Sequence, residues 1–288
     1  MSDPNGHEEP TAGVTTATPV TTKPVAVRPD PPRRWASHAA WVALTLIVLA
    51  AVAHTKIKWD RLADFPSSLV HYLRLMLLPP DWAAFGDAFA ATAKSVEMAW
   101  LGTILGIVVS FPLSFAATSI LAPLWLRLPL RGVFGLLRAV PEIVIAVVIL
   151  SVTGLTPFTG ALAIGVRTIG SLGKWGYEAM EAADLGAMEA ARTCGASQAQ
   201  VIRWGLWPAV APAVFAFWLY RFEINVRASA ILGLIGAGGI GSMLVQNVQY
   251  RNWSTVGTLF LVVVGVTMVI DQISGRIRTK LVTGRWRA

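Results

Sequence analysis

Six apolar runs, separated by charged or turn-forming segments, organise the 288-residue chain. Residues 35–55 contain no Lys, Arg, Asp or Glu. About 20 apolar residues rising ~1.5 Å each cross a hydrocarbon layer of roughly 30 Å, so this run predicts a first membrane span. Residues 98–126 are also free of charge and predict a second, kinked at Pro112. Further spans are expected at 132–153, at 158–177 after the turn ending in Pro157, at 209–234 and at 253–273. The fourth run is rich in glycine, which lets helices approach closely in lipid. The expectation is an all-α integral membrane protein of six transmembrane helices.

The polar segments divide the chain further. Residues 1–34 hold seven prolines and no apolar run, a composition that cannot bury enough surface to offset its ordering entropy. They read as a disordered cytoplasmic segment, and Glu8 and Glu9 stand where a signal peptide would be basic. The first helix and an external connection then fill 35–90, a membrane core 91–279, and a basic tail 280–288. Basic residues mark cytoplasmic loops. Arg33, Arg34, Arg127, Arg131, Lys174 and the cluster from Arg276 to Arg287 place both termini inside. The connection 56–94 is a mild misfit, with five basic residues on the expected outer side. Its middle, 69–78, is amphipathic and suited to the interface.

One segment between spans is itself amphipathic. From 184 to 208 the punctuation predicts two short helices bent at Gly195. Asp184-Leu185-Gly186 breaks the preceding helix, and Glu189 and Arg192 suit the dipole of a helix over 187–194. Gly195 accepts the left-handed conformation that ends a helix. Ser197 with Gln200 has the form of a capping box, and Pro208 is tolerated where the next helix begins. By pattern alone the segment is either a loop on the bilayer surface or a docking element for a partner in the cytoplasm.

Composition supports the membrane reading: 55% of residues are hydrophobic and 14% charged, against about 25% charged in soluble domains. The net charge of +8 is scattered, which argues against nucleic acid. The single Cys194 permits no internal disulfide, and no metal or redox site is expected. A membrane-embedded enzyme would need clustered His, Cys or acids, whereas His7, His38, His54 and His71 are all N-terminal and dispersed. Gly236-Ala237-Gly238-Gly239-Ile240-Gly241 matches G-x-G-x-x-G in letters only, because an apolar helix precedes it and no acid follows before Asp271. With Gly233, these glycines predict irregular backbone that lines a cavity or packs in protein. The chain also lacks a P-loop; Gly173-Lys174 is followed by Trp175.

Charges inside the runs are costly and are functional candidates. Those singled out are Arg138, Glu142, Arg167, Arg221, Glu223 and Arg227. Glu223 and Arg227 are spaced for a helix ion pair, Arg138 is placed to snorkel, and Arg221 needs a partner on another helix, for which Glu142 is available. The net +2 suits an anionic substrate, and Arg167 and Arg221 are the stronger candidates for meeting it.

Three stretches carry a family resemblance across roughly residues 90–280. Glu189-Ala190-Ala191, with Gly195 and Pro208, resembles the coupling loop of ABC-importer permeases, although it ends Gly205-Leu206-Trp207-Pro208 rather than Ile-x-Leu-Pro. The run from Tyr220 to Arg227 with Gly233 to Gly241, and Arg138-Ala139-Val140-Pro141-Glu142, is similar to the phosphonate-transporter permease family. The resemblance implies a type I importer permease in the plasma membrane with a cytoplasmic coupling helix. It implies a second permease subunit, identical or paralogous, two cytoplasmic ATPase subunits that bind the ATP, and an extracytoplasmic binding protein. The implied cargo is phosphonate or a related oxyanion; phosphate, phosphite or an amino acid such as methionine is the alternative.

Overall fold

The computed structural model describes residues 34–55 and 64–283, and all regular structure among them is helical. The expected disordered segment lies outside the described residues except for its last position. So does the end of the basic tail. The chain divides into two units, Met1–Leu62 and Ala63–Ala288. In the first, α1 is Arg34–His54, uncharged through its apolar length.

The second unit holds α2 (Phe65–Leu77), α3 (Phe85–Ala117), α4 (Leu124–Ala139), α5 (Glu142–Thr153), α6 (Pro157–Glu181), α7 (Gly186–Thr193), α8 (Trp207–Leu232), α9 (Gly239–Gln249) and α10 (Trp253–Thr283). The centre is a parallel pair, α3 and α6. Met98 meets Gly160, Gly102 meets Ile164, Gly106 meets Thr168 and Ser114 meets Gly176, in ascending order along both helices. A Cβ on Gly102 would lie 2.7 Å from the Ala161 carbonyl oxygen, so the absence of a side chain sets the closeness of approach. α8 packs across both helices, and α10 lies along α8 and α3, with α2 and its Tyr72 ring against Trp253 at 4.9 Å.

The expectation of six spans is corrected. Four helices are long and apolar enough to cross a membrane among the described residues: Ser37–His54, Trp82–Ala117, Gln198–Ala237 and Trp253–Thr283. The run at 132–153 is two helices, α4 and α5, bent by 91° at Val140-Pro141, and makes a fifth span only if the pair is counted as one. Pro141 lacks the amide hydrogen that would continue the helix and drives Val140 to extended backbone, ψ 127°. The run at 158–177 forms α6, whose Arg167, Lys174, Glu178 and Glu181 keep it out of the apolar set. The expected second span ends at Ala117 instead of 126, and α3 continues five residues beyond Pro112.

Candidate functional site

The break at Pro141 brings the first of the candidate charges together. Glu142 is the first residue of α5, where the positive end of the helix dipole favours a carboxylate. Arg167, ten residues into α6, reaches it at 3.5 Å from Nε to Oε2 and donates from Nη1 to the Val140 carbonyl oxygen at 3.2 Å. The guanidinium thus binds both sides of the bend: the end of α4 and the start of α5. Beside it lies a cavity of about 270 Å³, walled by Pro141, Glu142, Ile143 and Arg167 and by Ala228, Ile231 and Leu232 of α8. The Arg167 side chain is 31% exposed.

Arg221 stands apart from that cavity wall. It is 3% exposed, and Nε donates to Thr168 Oγ1 at 3.2 Å while Nη2 is buried without a partner. The expected pairing of Arg221 with Glu142 is therefore corrected: Arg167 holds Glu142, and Arg221 bonds Thr168 instead. Asn225, one turn on, is fully buried and joins three helices by donating Nδ2 to Thr103 of α3 at 2.8 Å and to Thr168 of α6 at 3.0 Å. The Thr103 hydroxyl gives its proton to Ala99 at 2.6 Å. Its oxygen can then only accept from Asn225, which fixes the amide nitrogen on that side and leaves Oδ1 unpaired. Glu142 Oε1 is unpaired as well.

Glu223 and Arg227 belong to a second group. They pair at 3.0 Å, Arg227 also reaches Asp271 at 3.1 Å, and Arg278 approaches Glu223 at 3.8 Å. Two acids and two arginines make this α8–α10 clasp neutral. Arg138 is exposed at the end of α4. The glycines of the turn after α8 pack against protein. Gly236 has φ 101°, a conformation open to glycine, and a Cβ there would meet Leu155. Gly233 and Gly241 touch each other's backbone, and the positive-φ Gly238 and Gly239 lie against Pro157 and Ser95.

The 184–208 segment forms α7, a turn, and a helical stretch running through a wide π-helical segment, Val201–Leu206, directly into α8. The second short helix is thus the beginning of α8 rather than a separate element. Gly195 has φ 73°; its amide bonds the Arg192 carbonyl and that of Ala196 bonds Ala191, the two hydrogen bonds of a Schellman ending. Ser197 N donates to Gln200 Oε1 at 2.8 Å. Met188, Val201, Leu206 and Val210 bury together with Met180. That burial fixes which face of α7 turns outward: Glu189, Ala190 and Gly195 are exposed, Ala191 is half-buried, and Pro208 is exposed at the start of α8. Trp204, 69% exposed with Arg203 over its ring at 5.5 Å, shares this segment.

Sequence reasoning overlooked Thr103, Thr168, Asn225 and Trp204. The visible signal for one of them is an Asn inside the apolar run 209–234, since polar side chains in such runs bond across helices.

Residues 102–282 match the family model described as binding-protein-dependent transport system inner membrane component. The phosphate-import permease protein PhnE of Mycolicibacterium smegmatis is 36% identical over 72% of this chain, a match that spans 39% of that relative's length. The putative phosphite transport system permease protein HtxC of Stutzerimonas stutzeri is 32% identical over 88% of this chain and 89% of its own. Among solved structures, the MetNI methionine ABC transporter in an inward-facing conformation superposes with a TM-score of 0.59 at 20% identity, over 65% of this chain and 93% of that one. At that identity the likeness speaks to the fold alone. With the family match covering well over half of the chain, the protein belongs to the inner-membrane components of binding-protein-dependent ABC importers, as a multi-pass transport subunit and not an ATPase.

Proposed function

We propose that this chain, paired with a second permease subunit, forms the translocation path for a phosphorus oxyanion, with phosphite and phosphate ahead of phosphonate. The observation that carries the reading is Arg167 on the wall of the cavity at the Pro141 break, with Glu142 as its only acidic partner among the described residues. A guanidinium presents a planar fork to such oxygens. Broken spans are where transporters place their binding sites. The resemblance in sequence puts phosphonate first; relatives named for phosphate import and phosphite transport move the weight to the inorganic oxyanions. Methionine has the support of more distant sequence relatives named for D-methionine transport and of fold likeness.

In this reading an extracytoplasmic binding protein delivers the anion. ATP bound by two cytoplasmic subunits drives closure, and the exposed face of α7 with the segment to Pro208 transmits it. Both termini of the chain are cytoplasmic. The test is reconstitution of the permease with its ATPase and binding protein in liposomes, offering phosphite, phosphate, a phosphonate and methionine. Uptake and ATPase stimulation are expected for the oxyanions; stimulation by methionine alone overturns the assignment.

A further inference from the structure

Two groups of charges in the membrane core contrast: one is balanced and the other is not. The α8–α10 clasp contains Glu223, Arg227, Asp271 and Arg278, two of each sign. The set around the break contains Arg167, Arg221 and a single acid, Glu142. That carboxylate is divided: Oε2 faces Arg167 at 3.5 Å, Oε1 is buried and unpartnered, and the buried Nη2 of Arg221 is unpartnered too. Of the other helices packed here, α3 and α6 contribute the uncharged Thr103 and Thr168, and α4 contributes Arg138, which is exposed.

A buried charge without a counterion is expensive, so this set is short of one negative charge. We propose that the missing charge is the cargo, taken as a monoanion by an exchange of partners at Glu142. The anion enters the cavity and docks on Arg167. Glu142, displaced from Arg167, turns to the unpaired Nη2 of Arg221. Three charges summing to +1 thereby become four summing to zero, with each guanidinium paired. Arg221 never touches the anion; it is a positioning residue that makes Arg167 available. A dianion would leave the set at −1, and a zwitterionic amino acid would leave it at +1, so the arrangement selects the singly ionised form of a phosphorus oxyanion.

The inference rests on the oxyanion reading above, and the test separates the two. Uptake of phosphite is followed in the reconstituted complex with its binding protein from pH 5.5 to 8. Phosphate-type groups lose their second proton near about pH 6, and each pH unit above that ionisation changes the monoanion-to-dianion ratio by about tenfold. Each variant is read as a ratio to the unaltered complex, which cancels the pH response of the ATPase and binding protein, and assembly is checked by co-purification. Glu142→Gln raises the set to +2, and its ratio is expected to climb severalfold with pH. Arg221→Met lowers it to zero and is expected to lose uptake at every pH, while Arg221→Lys retains it. The double variant Glu142→Gln with Arg221→Met returns the set to +1 and is expected to recover the unaltered pH profile, which a structural role for either residue would not produce. A flat ratio for an assembled Glu142→Gln complex, or normal uptake by Arg221→Met, overturns the inference. Should Glu142→Gln fail to assemble, the Arg221→Met and Arg221→Lys pair decides it. Absence of any oxyanion uptake by the unaltered complex overturns the cargo reading instead.

Discussion

Asn225 shows how much one uncharged residue contributes inside an apolar run. Its amide nitrogen ties α8 to α3 and α6 through Thr103 and Thr168, while the oxygen remains unpaired. Interhelical hydrogen bonds of this kind are worth about 0.6 kcal/mol on average and up to about 1.7 in membrane proteins. Asn225→Leu is therefore expected to destabilise the complex by an amount in that range, read as a modest fall in the melting temperature of the detergent-purified complex. No change, or loss of folding altogether, would contradict the role given to this bond. Gly195 is a residue of a different kind: a Cβ there meets nothing, so its constraint is the backbone alone. A branched side chain at φ 73° costs about 1–2 kcal/mol. Gly195→Val should thus loosen the end of α7 without disturbing the core.

At the scale of elements, α7 puts a buried and an exposed side chain on adjacent residues. Met188 is 1% exposed and locks α7 onto the start of α8, whereas Glu189 faces outward. Met188→Ala is expected to cost about 2–5 kcal/mol and to expose α7 to limited proteolysis. Glu189→Lys should leave stability unchanged while uncoupling ATP hydrolysis from uptake or weakening retention of the ATPase subunit. If Glu189→Lys couples normally, α7 is a connection and not a transmitter. The continuous path through Val201–Leu206 gives such a transmitter its stiffness, since α7 packs directly on the segment that opens α8. The aromatic rings of Phe111, Trp207, Phe215 and Trp218 extend that packing to α3.

For the whole molecule, sidedness is the property most open to direct measurement. Cys194 is the single cysteine of the chain and is exposed at the end of α7. An impermeant maleimide should label it in inside-out vesicles and not in right-side-out ones, and bound ATPase subunits should slow the reaction. Labelling from the outer side would reverse the topology. The exposed Trp125, Leu136, Val148 and Val152 along the bent pair present a broad apolar surface. That surface suits contact with lipid.

Apolar run length determined where α1, α8 and α10 lie, because spanning a bilayer requires that many consecutive apolar residues and little else; α3 begins and ends earlier than its run. Local punctuation likewise determined α7 and its ending, since Gly195 and the Ser197–Gln200 pair act within a few residues of themselves. The α4–α5 bend was legible in part: Pro141 was visible, but whether a proline kinks a helix or parts it into two depends on what receives the freed groups. Here Arg167, on another helix, takes the Val140 carbonyl. The i,i+4 spacing of Glu223 and Arg227 was enough to foresee their pair, whereas the partner of Glu142 was decided by tertiary structure. That pairing depends on how α5 and α6 cross, since Glu142 and Arg167 come from different helices. Of the six charges singled out in the apolar runs, the packing placed two in a neutral clasp and three in a set one negative charge short.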